Sequence, residues 1–385
     1  MISKKVTIIL AVVLFVLSAA GAYWYFSTST QNKDYLSRIK GKVTEETEEV
    51  LDGGSKTEVC PMNGQRYSKA QKKRWDKRRP LGVMIENHLD ARPQSGLPSA
   101  DIIYEAVAEG GITRFLAIYF CEDAKIIGPV RSARIYFVKL LQEYGRNPLH
   151  AHVGGANTPG PADALGEIRD LGWDAYNDLN QFAVPFPVYY RDYERLPNRV
   201  TEHTMYASTA KLWSYAKKER KLSNVDEKKR SWTGGFTPWK FKDDAKPEGR
   251  GTTSKISFSF WEQFAKDYSV VWKYDKQTNS YVRGNGGVSH LDKNTGKALR
   301  AKNIVVVSAD ESPANDGYYG GHLLYDIVGQ GEGILFQDGK AIKVSWKKKN
   351  EESRMKFFDP SGNEVSLVRG PIFIEIVPTG NKVTY

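Results

Sequence analysis

The sequence predicts an α/β N-terminal domain with a mixed sheet over residues 80–225, a smaller β-rich domain over residues 226–385, and one N-terminal transmembrane helix. Three observations predict this arrangement. A long uncharged apolar stretch opens the chain, strand patterns alternate with three helical patterns between residues 81 and 220, and almost only strand patterns follow residue 254. The chain of 385 residues is longer than one hydrophobic core usually supports, and its 40% hydrophobic content is typical of globular proteins.

The apolar stretch at residues 6–26 contains 21 residues without a charge, long enough to span a hydrocarbon layer of about 30 Å as a helix. Lys4 and Lys5 precede it and favour a cytoplasmic N-terminus, and residues 23–25 place aromatic side chains at the far interface. We therefore predict a single-pass anchor over residues 1–26 in the cell membrane, with the rest of the chain extracytoplasmic. A cleaved signal peptide is the alternative, because residues 18–21 are small.

Residues 27–79 have the polar composition of an extracytoplasmic linker. Its end, residues 66–79, carries eight basic side chains, which either bind anionic lipid or wall polymer or form a solvated approach to the first strand. Cys60 and Cys121 would lie in a compartment that permits disulfides. A bridge between them and a pair of free buried thiols both remain open.

Three apolar runs begin the α/β domain. Residues 81–85 form a short run typical of a buried strand and lead directly into a polar cluster, Glu-Asn-His. Residues 102–108 and 112–120 flank Glu-Gly-Gly, which predicts an antiparallel hairpin, because glycine tolerates a positive φ. The alternation of side chains along these strands predicts that Glu105 and Arg114 can pair across the hairpin.

The sequence Arg-Ser-Ala-Arg at residues 131–134 precedes a helical pattern that continues to residue 144. Ser132 is expected near the N-cap, where free backbone N–H groups and the helix dipole attract anions. Arg131 and Arg134 add two planar guanidinium groups that suit phosphate or carboxylate. These residues predict an anion-binding site.

The ligand-binding residues of this predicted site are Arg92, Arg114, Arg131, Ser132, Arg134, Asn87 and Glu105. Glu86 and Asp101 are the candidates for a catalytic base or metal ligand. The alternative is purely structural, since ion-pair networks resemble binding sites. In that case the arginines pair with Glu86, Asp90, Asp101 or Glu105 and only hold the strand ends together.

A strand at residues 149–153 carries His150 and His152 on one face. Two histidines at this spacing can bind a metal, but a site needs a third ligand, and no further residue has diagnostic spacing. We therefore predict no metal and no cofactor.

Helical patterns follow at residues 162–171 and 208–220. The aromatic stretch between them, residues 173–203, either packs as a lid or lines a cleft with Arg191, Asp192 and His203 as candidates. Mixed polar residues at 217–254 predict the main boundary, and the β-rich domain begins with this linker. The strand patterns beyond it cover residues 256–260, 269–274, 280–283, 303–308, 323–328, 333–336, 341–346, 355–358 and 373–377.

Common enzyme signatures are absent from the sequence, including G-x-S-x-G, H-E-x-x-H and the Walker loop. The net charge of +11 is spread through many segments with balancing acids, and no zinc-finger, leucine-zipper or RNA-recognition motif occurs. We therefore expect no nucleic-acid partner.

An ordered series of motifs carries a resemblance to a known family. They are VMIENH, ARPQSGLPSADIIYEA, EGGITRF, GPVRSAR and HVGG, then DKNTGKALRAKNIVVV, VGQGEGILFQDGK, SWKK and FFDPSGNEVSL. Over about residues 80–385 the chain closely resembles the YerB-like lipoprotein family of bacteria. The resemblance implies two domains and extracytoplasmic membrane attachment, and it implies no particular activity. The chain departs from this family in its anchor, because no lipobox cysteine follows the apolar stretch.

A looser likeness, with different spacing and a different hairpin, connects the chain with the LytR-CpsA-Psr phosphotransferases. It implies binding of polyprenyl pyrophosphate through Arg92, Asp101, Arg131 and Arg134. We expect a binding module of the cell envelope for an anionic ligand, such as a cell-wall polymer or lipid-linked phosphate, or for an envelope protein. The alternative is an envelope phosphotransferase or hydrolase acting on polyprenyl-phosphate-linked glycan.

Overall fold

A ten-stranded sheet organises the part of the chain that the structure describes. The computed structural model describes residues 54–385, which form one compact unit. The predicted anchor at residues 6–26 and the first part of the predicted linker, residues 27–53, lie outside the described residues. Between residues 54 and 385, no helix has both the length and the apolar character needed to cross a bilayer.

The elements are numbered along the described chain. The strands are β1 Glu58–Val59, β2 Arg66–Tyr67, β3 Leu81–Glu86, β4 Ile102–Glu109, β5 Ile112–Tyr119, β6 Leu149–His152, β7 Asp178–Asn180, β8 Tyr189–Arg191, β9 Met205–Ala207, β10 Phe241–Lys242, β11 Lys255–Phe258, β12 Val270–Asp275, β13 Ser280–Asn285, β14 Val288–Ser289, β15 Arg300–Ala301, β16 Asn303–Ala309, β17 Glu311–Pro313, β18 Leu323–Tyr325, β19 Gly329–Gln337, β20 Lys340–Lys348, β21 Lys356–Phe358, β22 Leu367–Val368 and β23 Ile372–Pro378. The α-helices are α1 Lys69–Trp75, α2 Ile135–Leu141, α3 Ala164–Asp170, α4 Thr209–Glu219 and α5 Ala265–Tyr268.

The large sheet is mixed, as predicted, with the strand order β21, β20, β19, β16, β23, β4, β5, β3, β6, β7. The pairs β16–β23, β23–β4, β3–β6 and β6–β7 are parallel, and the other neighbours are antiparallel. β23 comes from the far end of the chain and places Ile372 beside Ile102 of β4. The sheet is therefore continuous across residue 225, and the domain boundary proposed there stays a prediction.

The chain beyond residue 226 is rich in β-strands, as predicted. Besides its contribution to the large sheet, it forms a smaller sheet of β11, β12, β13 and β14, with β15 paired to β13. Trp272 of the smaller sheet lies edge-on to Phe373 of β23, with 5.0 Å between ring centroids. Phe373 in turn lies edge-on to Phe115 of β5 at 6.2 Å. Aromatic packing thus joins the two sheets in one core.

The predicted hairpin is confirmed as β4 and β5. Its turn contains Gly110 and Gly111 with φ of 56° and 75°, values that side chains other than glycine rarely adopt. A Cβ atom at Gly111 would lie 2.1 Å from the ring of Phe264, so this turn also needs the absence of a side chain.

The register of the hairpin corrects one expectation. Glu105 lies opposite Phe115, and Arg114 lies opposite Ala106. Side chains alternate between the faces of a strand, so Glu105 and Arg114 point to opposite sides of the sheet. The predicted pair between them is therefore wrong.

Ser132 is not the N-cap of α2, which corrects a second expectation. The N-cap is Arg134, in an extended conformation with φ −133° and ψ 145°, and it makes no side-chain capping hydrogen bond. The backbone N–H of Arg131 donates to the carbonyl of Met84 at 2.9 Å, so the chain before α2 runs along the end of β3. The N–H of Ala133 donates to the carbonyl of Gly154 at 2.9 Å, so the N–H groups of Arg131 and Ala133 are both paired inside the protein.

The other two predicted helices are confirmed as α3 and α4. The Asp163 side chain accepts the N–H of Gly166 at 2.7 Å and begins α3. The Ser208 side chain accepts the N–H of Lys211 at 3.2 Å and begins α4.

Part of the predicted linker is folded. β1, β2 and α1 lie between residues 58 and 75, and the side chains of Tyr67 and Trp75 are buried in the core. Helix α1 begins with a reciprocal capping box of Ser68 and Gln71. The basic run therefore contains a short helix that packs the side chain of Trp75 into the core.

A disulfide connects Cys60 to Cys121, with 6.1 Å between their Cα atoms. It links the segment between β1 and β2 to the residue after Phe120, at the end of the hairpin. Of the two open alternatives, the structure contains the bridge. Asp101 lies beside it and accepts the backbone N–H groups of Phe120 and Cys121 at 2.8 and 3.0 Å.

The buried carboxylate of Glu143 joins the hairpin β19–β20 to the turn that follows α2. The carboxylate of Glu143 accepts from the ammonium of Lys348 at 3.1 Å, from Arg354 Nη1 at 3.0 Å and from the Tyr104 hydroxyl at 2.6 Å. Burial alone would raise the pKa of Glu143, but the charges of Lys348 and Arg354 outweigh it, and the pKa lies below its ordinary value. These contacts favour the ionised form of the buried Glu143 carboxyl.

We expect the double replacement Cys60→Ser with Cys121→Ser to lower the free energy of unfolding by about 2–4 kcal/mol. The bridge restricts the conformations of the unfolded chain, and its loss gives the unfolded chain more entropy. Urea unfolding followed by tryptophan fluorescence, with and without reductant, measures this difference. Reductant should shift the midpoint of the wild type and leave that of the variant unchanged. Identical wild-type midpoints in both conditions would contradict the bridge.

We expect Glu143→Gln to destabilise the protein by about 3–5 kcal/mol, because it leaves two buried cations without a counter-charge. Lys349→Met is the matched control: Lys349 is exposed beside Lys348, and its replacement should change stability by less than about 0.5 kcal/mol. Urea titrations of both variants give the two values. Equal stability of the two variants would refute a charged Glu143 cluster.

Candidate functional site

A group of titratable side chains surrounds Glu86, the last residue of the fully buried strand β3. The Glu86 side chain is itself buried. Its Oε2 accepts a hydrogen bond from His203 Nδ1 at 2.8 Å, since a carboxylate only accepts, and its Oε1 accepts from Arg131 Nε at 3.1 Å. Both oxygens of a buried carboxylate are thus paired with basic groups from distant parts of the sequence.

Backbone pairing brings these three residues together. Val130 forms a bridge with Ile85 of β3 and donates its N–H to the carbonyl of Met205 at 2.7 Å. The segment that ends at Arg131 is therefore held between β3 and β9. His203 closes the 3₁₀ turn just before β9, so its side chain reaches the end of β3.

On the solvent side, the His88 ring stacks on the His203 ring with 4.7 Å between centroids and an interplanar angle of 7°. Asp90 accepts from Arg199, with 3.3 Å between Nη1 and Oδ1. Glu202 lies 3.5 Å from Arg131 Nη2 and 3.8 Å from His203 Nε2. We call Glu86, His88, Asp90, Arg131, Arg199, Glu202 and His203 the Glu86 cluster.

The cluster is open to solvent on one side. The side chains of Glu202 and Asp90 are 54% and 45% exposed, that of His88 is 32% exposed and that of Arg131 is 24% exposed, whereas Glu86 and His203 lie beneath them. Buried partners thus fix the inner groups, and the outer groups remain available for contact with another molecule.

The protonation states follow from these contacts. The hydrogen bond to Glu86 raises the pKa of His203 above its ordinary value, and burial opposes this only in part. Burial alone would raise the pKa of Glu86, but the His203 hydrogen bond and the charge of Arg131 lower it. The contact favours protonated His203 beside ionised Glu86. Three carboxylates then face two guanidinium groups and one imidazolium, so the cluster is close to charge balance.

The other predicted arginines of the turn pair internally. Arg114 and Arg134 are buried and share one acid, Glu109: Arg114 Nη2 lies 3.3 Å from Oε1, and Arg134 Nη2 contacts Oε2. Arg114 also donates to the carbonyl of Ser132 at 3.1 Å. Both side chains therefore have a structural role, but through Glu109, an acid that the structural alternative did not name. The pair that this alternative does include is Arg131 with Glu86.

Arg92, Asn87 and Glu105 belong to an internal network. Arg92 donates to the Asn87 carbonyl at 3.0 Å and to the carbonyl of Asp267 at 2.8 Å. Asn87 Nδ2 donates to Glu105 Oε1 at 3.2 Å, and the other carboxylate oxygen of Glu105 is paired with Arg283. These contacts join the end of β3 to the smaller sheet.

Asp101 is fully enclosed, and its burial raises its pKa to about 7. It accepts the Asn63 amide at 2.8 Å as well as the two N–H groups beside the disulfide. With every contact inside the protein, it stabilises the bridge region and does not face solvent. Of the two predicted candidates for a base, Glu86 alone lies in the cluster.

The aromatic stretch at residues 173–203 contributes one of its three candidates. His203 joins the Glu86 cluster. The Arg191 side chain donates to the Thr201 carbonyl, and Asp192 accepts the N–H groups of Glu194 and Arg195, so both shape the loop. His88, Asp90, Arg199 and Glu202 were not predicted as site residues. His88 had a local signal in the Glu-Asn-His turn, whereas Arg199 and Glu202 are more than 100 residues from Glu86 and had none.

A second group lies inside the sheet. His150 and His152 of β6 meet Asp178 of β7, and one potential ligand atom of each lies within 4.8 Å of the others. Asp178 is the third ligand that the sequence did not reveal, because parallel pairing of β6 with β7 places it beside His150. Burial lowers the pKa of His150 to about 4.

Comparison with known proteins places the chain in a family. Residues 67–223 match the N-terminal domain, and residues 261–374 the C-terminal domain, of DUF3048, which is described as a protein of unknown function. A relative from Bacillus subtilis, "Putative lipoprotein YerB", is 32% identical over 303 residues, which span 78% of this chain and 82% of the relative.

The fold is also similar to a solved structure. The crystal structure of YerB from Bacillus subtilis matches with a TM-score of 0.68 at 28% identity, covering 86% of this chain and 100% of that one. Sequence motifs, both family domains and the fold agree. The chain therefore belongs to the DUF3048 family of YerB-like proteins.

Proposed function

We propose that the protein is a membrane-attached, extracytoplasmic binding module of the cell envelope and that the Glu86 cluster contacts its ligand. The description of the YerB relative as a lipoprotein supports attachment at the membrane, and the disulfide fits a compartment outside the cytoplasm. For this chain, the apolar stretch at residues 6–26 supplies the single-pass anchor in the proposal.

One observation carries the choice of site. At the end of a rigid, buried strand, Arg131 and Glu202 keep exposed polar atoms while buried Glu86 fixes their surroundings. Side chains held by internal hydrogen bonds lose little conformational entropy when a ligand binds. Such a preorganised polar surface suits the binding of a polar ligand.

The charge balance of the cluster supports one ligand class. Arg114 and Arg134 are occupied by Glu109, so a highly charged anion would meet Arg131 and Arg199 next to Asp90 and Glu202. Neighbouring donors and acceptors instead suit sugar hydroxyls, each of which donates and accepts. The proposed ligand is the glycan of a cell-wall polymer, with any phosphate or carboxylate substituent directed at Arg131.

A second function is favoured by the contact between Glu86 and His203. A buried carboxylate holds Nδ1 of this imidazole, and Nε2 faces the partly exposed carboxylate of Glu202 at 3.8 Å. Nε2 is therefore the atom that would exchange a proton if the histidine acts as a general acid or base. In an envelope hydrolase or phosphotransferase, His203 would transfer the proton and Glu86 would orient it. Turnover of wall glycan or a polyprenyl-phosphate-linked glycan by the wild type, lost in His203→Gln, would favour this enzyme over the binding module.

We expect Arg131→Gln and Glu202→Gln each to weaken binding to purified wall sacculi by about tenfold, because each removes a charge-assisted hydrogen bond of roughly 1.5 kcal/mol. Co-sedimentation of the full-length protein in detergent with sacculi measures this affinity. Arg169→Gln is the matched control, because Arg169 is 68% exposed and lies on α3, outside the cluster. The wild-type protein should still bind sacculi that have been stripped of anionic polymers, because the proposed ligand is the glycan.

Two outcomes would contradict this proposal. If the two cluster variants bind as the wild type does while the wild type binds sacculi, the ligand contacts another surface. If the wild type binds no sacculi, the glycan ligand is wrong. Thermal melts of each variant check that weaker binding does not arise from unfolding.

We expect Glu86→Gln to lower the pKa of His203, because a neutral amide replaces the carboxylate whose hydrogen bond and charge raise this pKa. Stability from this contact is present below the ordinary pKa of the imidazole and decreases as the pH rises through the elevated value. NMR titration of the His203 ring protons gives the pKa. Glu202→Gln should lower it less, since Glu202 lies 3.8 Å away. An unchanged pKa of His203 in Glu86→Gln would contradict the contact between Glu86 and His203.

A further inference from the structure

The second polar group, formed by His150, His152 and Asp178, lies apart from the Glu86 cluster and has no role in the proposed binding function. The side chains of both histidines are fully buried, and that of Asp178 is 4% exposed. Residues 150 and 152 share one face of β6, and Asp178 is the register partner of His150 on β7. Three metal-ligand side chains therefore converge beneath the surface.

His152 has the orientation of a metal ligand. Its Nδ1 donates to the carbonyl of Gly154 at 2.6 Å, because a carbonyl only accepts. Its Nε2 points at Asp178 Oδ1, also at 2.6 Å. Metal-bound histidines commonly donate one ring N–H to a backbone carbonyl and present the other nitrogen to the ion.

His150 carries the decisive observation. Neither of its ring nitrogens has a hydrogen-bond partner, although the side chain is completely enclosed. Its Nδ1 lies 3.6 Å from Asp178 Oδ1, too far for a hydrogen bond but on the same side as the other two ligands. Buried polar atoms without partners are rare in folded proteins, and they commonly indicate an ion or a water at the site. Here the neighbouring groups are those that bind an ion.

We propose that His150, His152 and Asp178 bind one divalent transition-metal ion of the zinc class. Metal–ligand distances of about 2.0–2.2 Å place tetrahedral ligand atoms roughly 3.3 Å apart. The observed separations from Asp178 Oδ1, 2.6 Å to His152 and 3.6 Å to His150, lie on either side of this value. To admit the ion, the first separation would have to open by about 0.7 Å and the second would have to close by about 0.3 Å. Two imidazoles and one carboxylate are a donor set suited to Zn²⁺.

The position of the site gives the ion a structural role. β7 has three residues and lies at the edge of the large sheet. Trp173 lies edge-on to His150 with 6.5 Å between ring centroids and covers the site. An ion between β6 and β7 would fasten this edge and the loop that leads toward His203. The remaining coordination position would be filled by a water or another small ligand.

The other metal-like groups among residues 54–385 serve as comparisons. Cys60 and Cys121 lie beside Asp101 but are bonded to each other, so their sulfur atoms are not thiolate ligands. His88, Asp90 and His203 form a more exposed group. In that group His88 Nδ1 accepts the N–H of Asp90 and His203 Nδ1 contacts Glu86, so each ring has a partner.

The test measures metal in the full-length protein, purified in detergent without a metal-affinity tag and then incubated with Zn²⁺ and desalted. Mass spectrometry of the metal should find one Zn²⁺ per chain in the wild type and only traces in Asp178→Asn and His150→Phe. Asp178→Asn keeps the shape of the side chain, and His150→Phe keeps a ring against Trp173. His88→Asn is the matched control and should retain the Zn²⁺ of the wild type.

A second measurement uses only the wild type, so it does not depend on whether the variants fold. Removal of the ion from the wild type with a chelator should lower Tm, and added Zn²⁺ should restore it, because an ion bound only by the folded state stabilises that state. Wild-type protein that takes up no Zn²⁺ and shows no change in Tm would overturn the proposal in favour of a proton shared by His152 and Asp178. Loss of Zn²⁺ in His88→Asn but not in Asp178→Asn would also overturn it.

Discussion

The guanidinium of Arg283 lies between the carboxyl groups of Glu105 and Glu375 in the fully buried centre of the protein, and the rest of the structure depends on this contact. Parallel pairing of β4 with β23 places the two carboxyls side by side, and Trp272 donates to Glu375 at 3.0 Å. Burial and the charge of Glu105 raise the pKa of Glu375 well above its ordinary value. Burial therefore favours the protonated form of Glu375, while Glu105 forms the ion pair with Arg283. Removing Arg283 or Glu105 alone would leave a buried charge unpaired.

From Arg283 the polar contacts continue to the candidate site. Arg283 Nη1 contacts His290 at 2.7 Å, His290 contacts Gln94 at 2.7 Å, and Gln94 donates to Asn87 at 2.8 Å. Asn87 directly follows Glu86, so a chain of hydrogen bonds from residues near 290 fixes the turn that carries the Glu86 cluster. The smaller sheet, which contributes no side chain to the cluster, positions it in this way.

Patterns that depend on neighbours in sequence were predictable. The hairpin was evident from apolar runs around Gly110 and Gly111, and α4 from the helical pattern of residues 208–220. Pairings that depend on register were not. A charge pattern around Arg131 and Arg134 indicated a site, but it could not show that Glu109 binds Arg134. That contact requires the end of β4 to lie beside the start of α2. An arginine can bind a ligand only if no carboxylate of the folded protein is already paired with it. Sequence spacing does not show which carboxylates lie close to which arginines.

The sequence alone determined the family, the mixed sheet, the β-rich second half and the polar turn at Glu86, because these features follow from local periodicity, turn residues and motif order. Tertiary structure alone decided that Glu86 meets His203, that Asp178 meets His150 and His152, and that Glu105 pairs with Arg283 rather than Arg114. The physical reason is the same in each case. Side chains far apart in sequence meet only when strand order and register are fixed, and a shift of one residue would move every one of them to the opposite face.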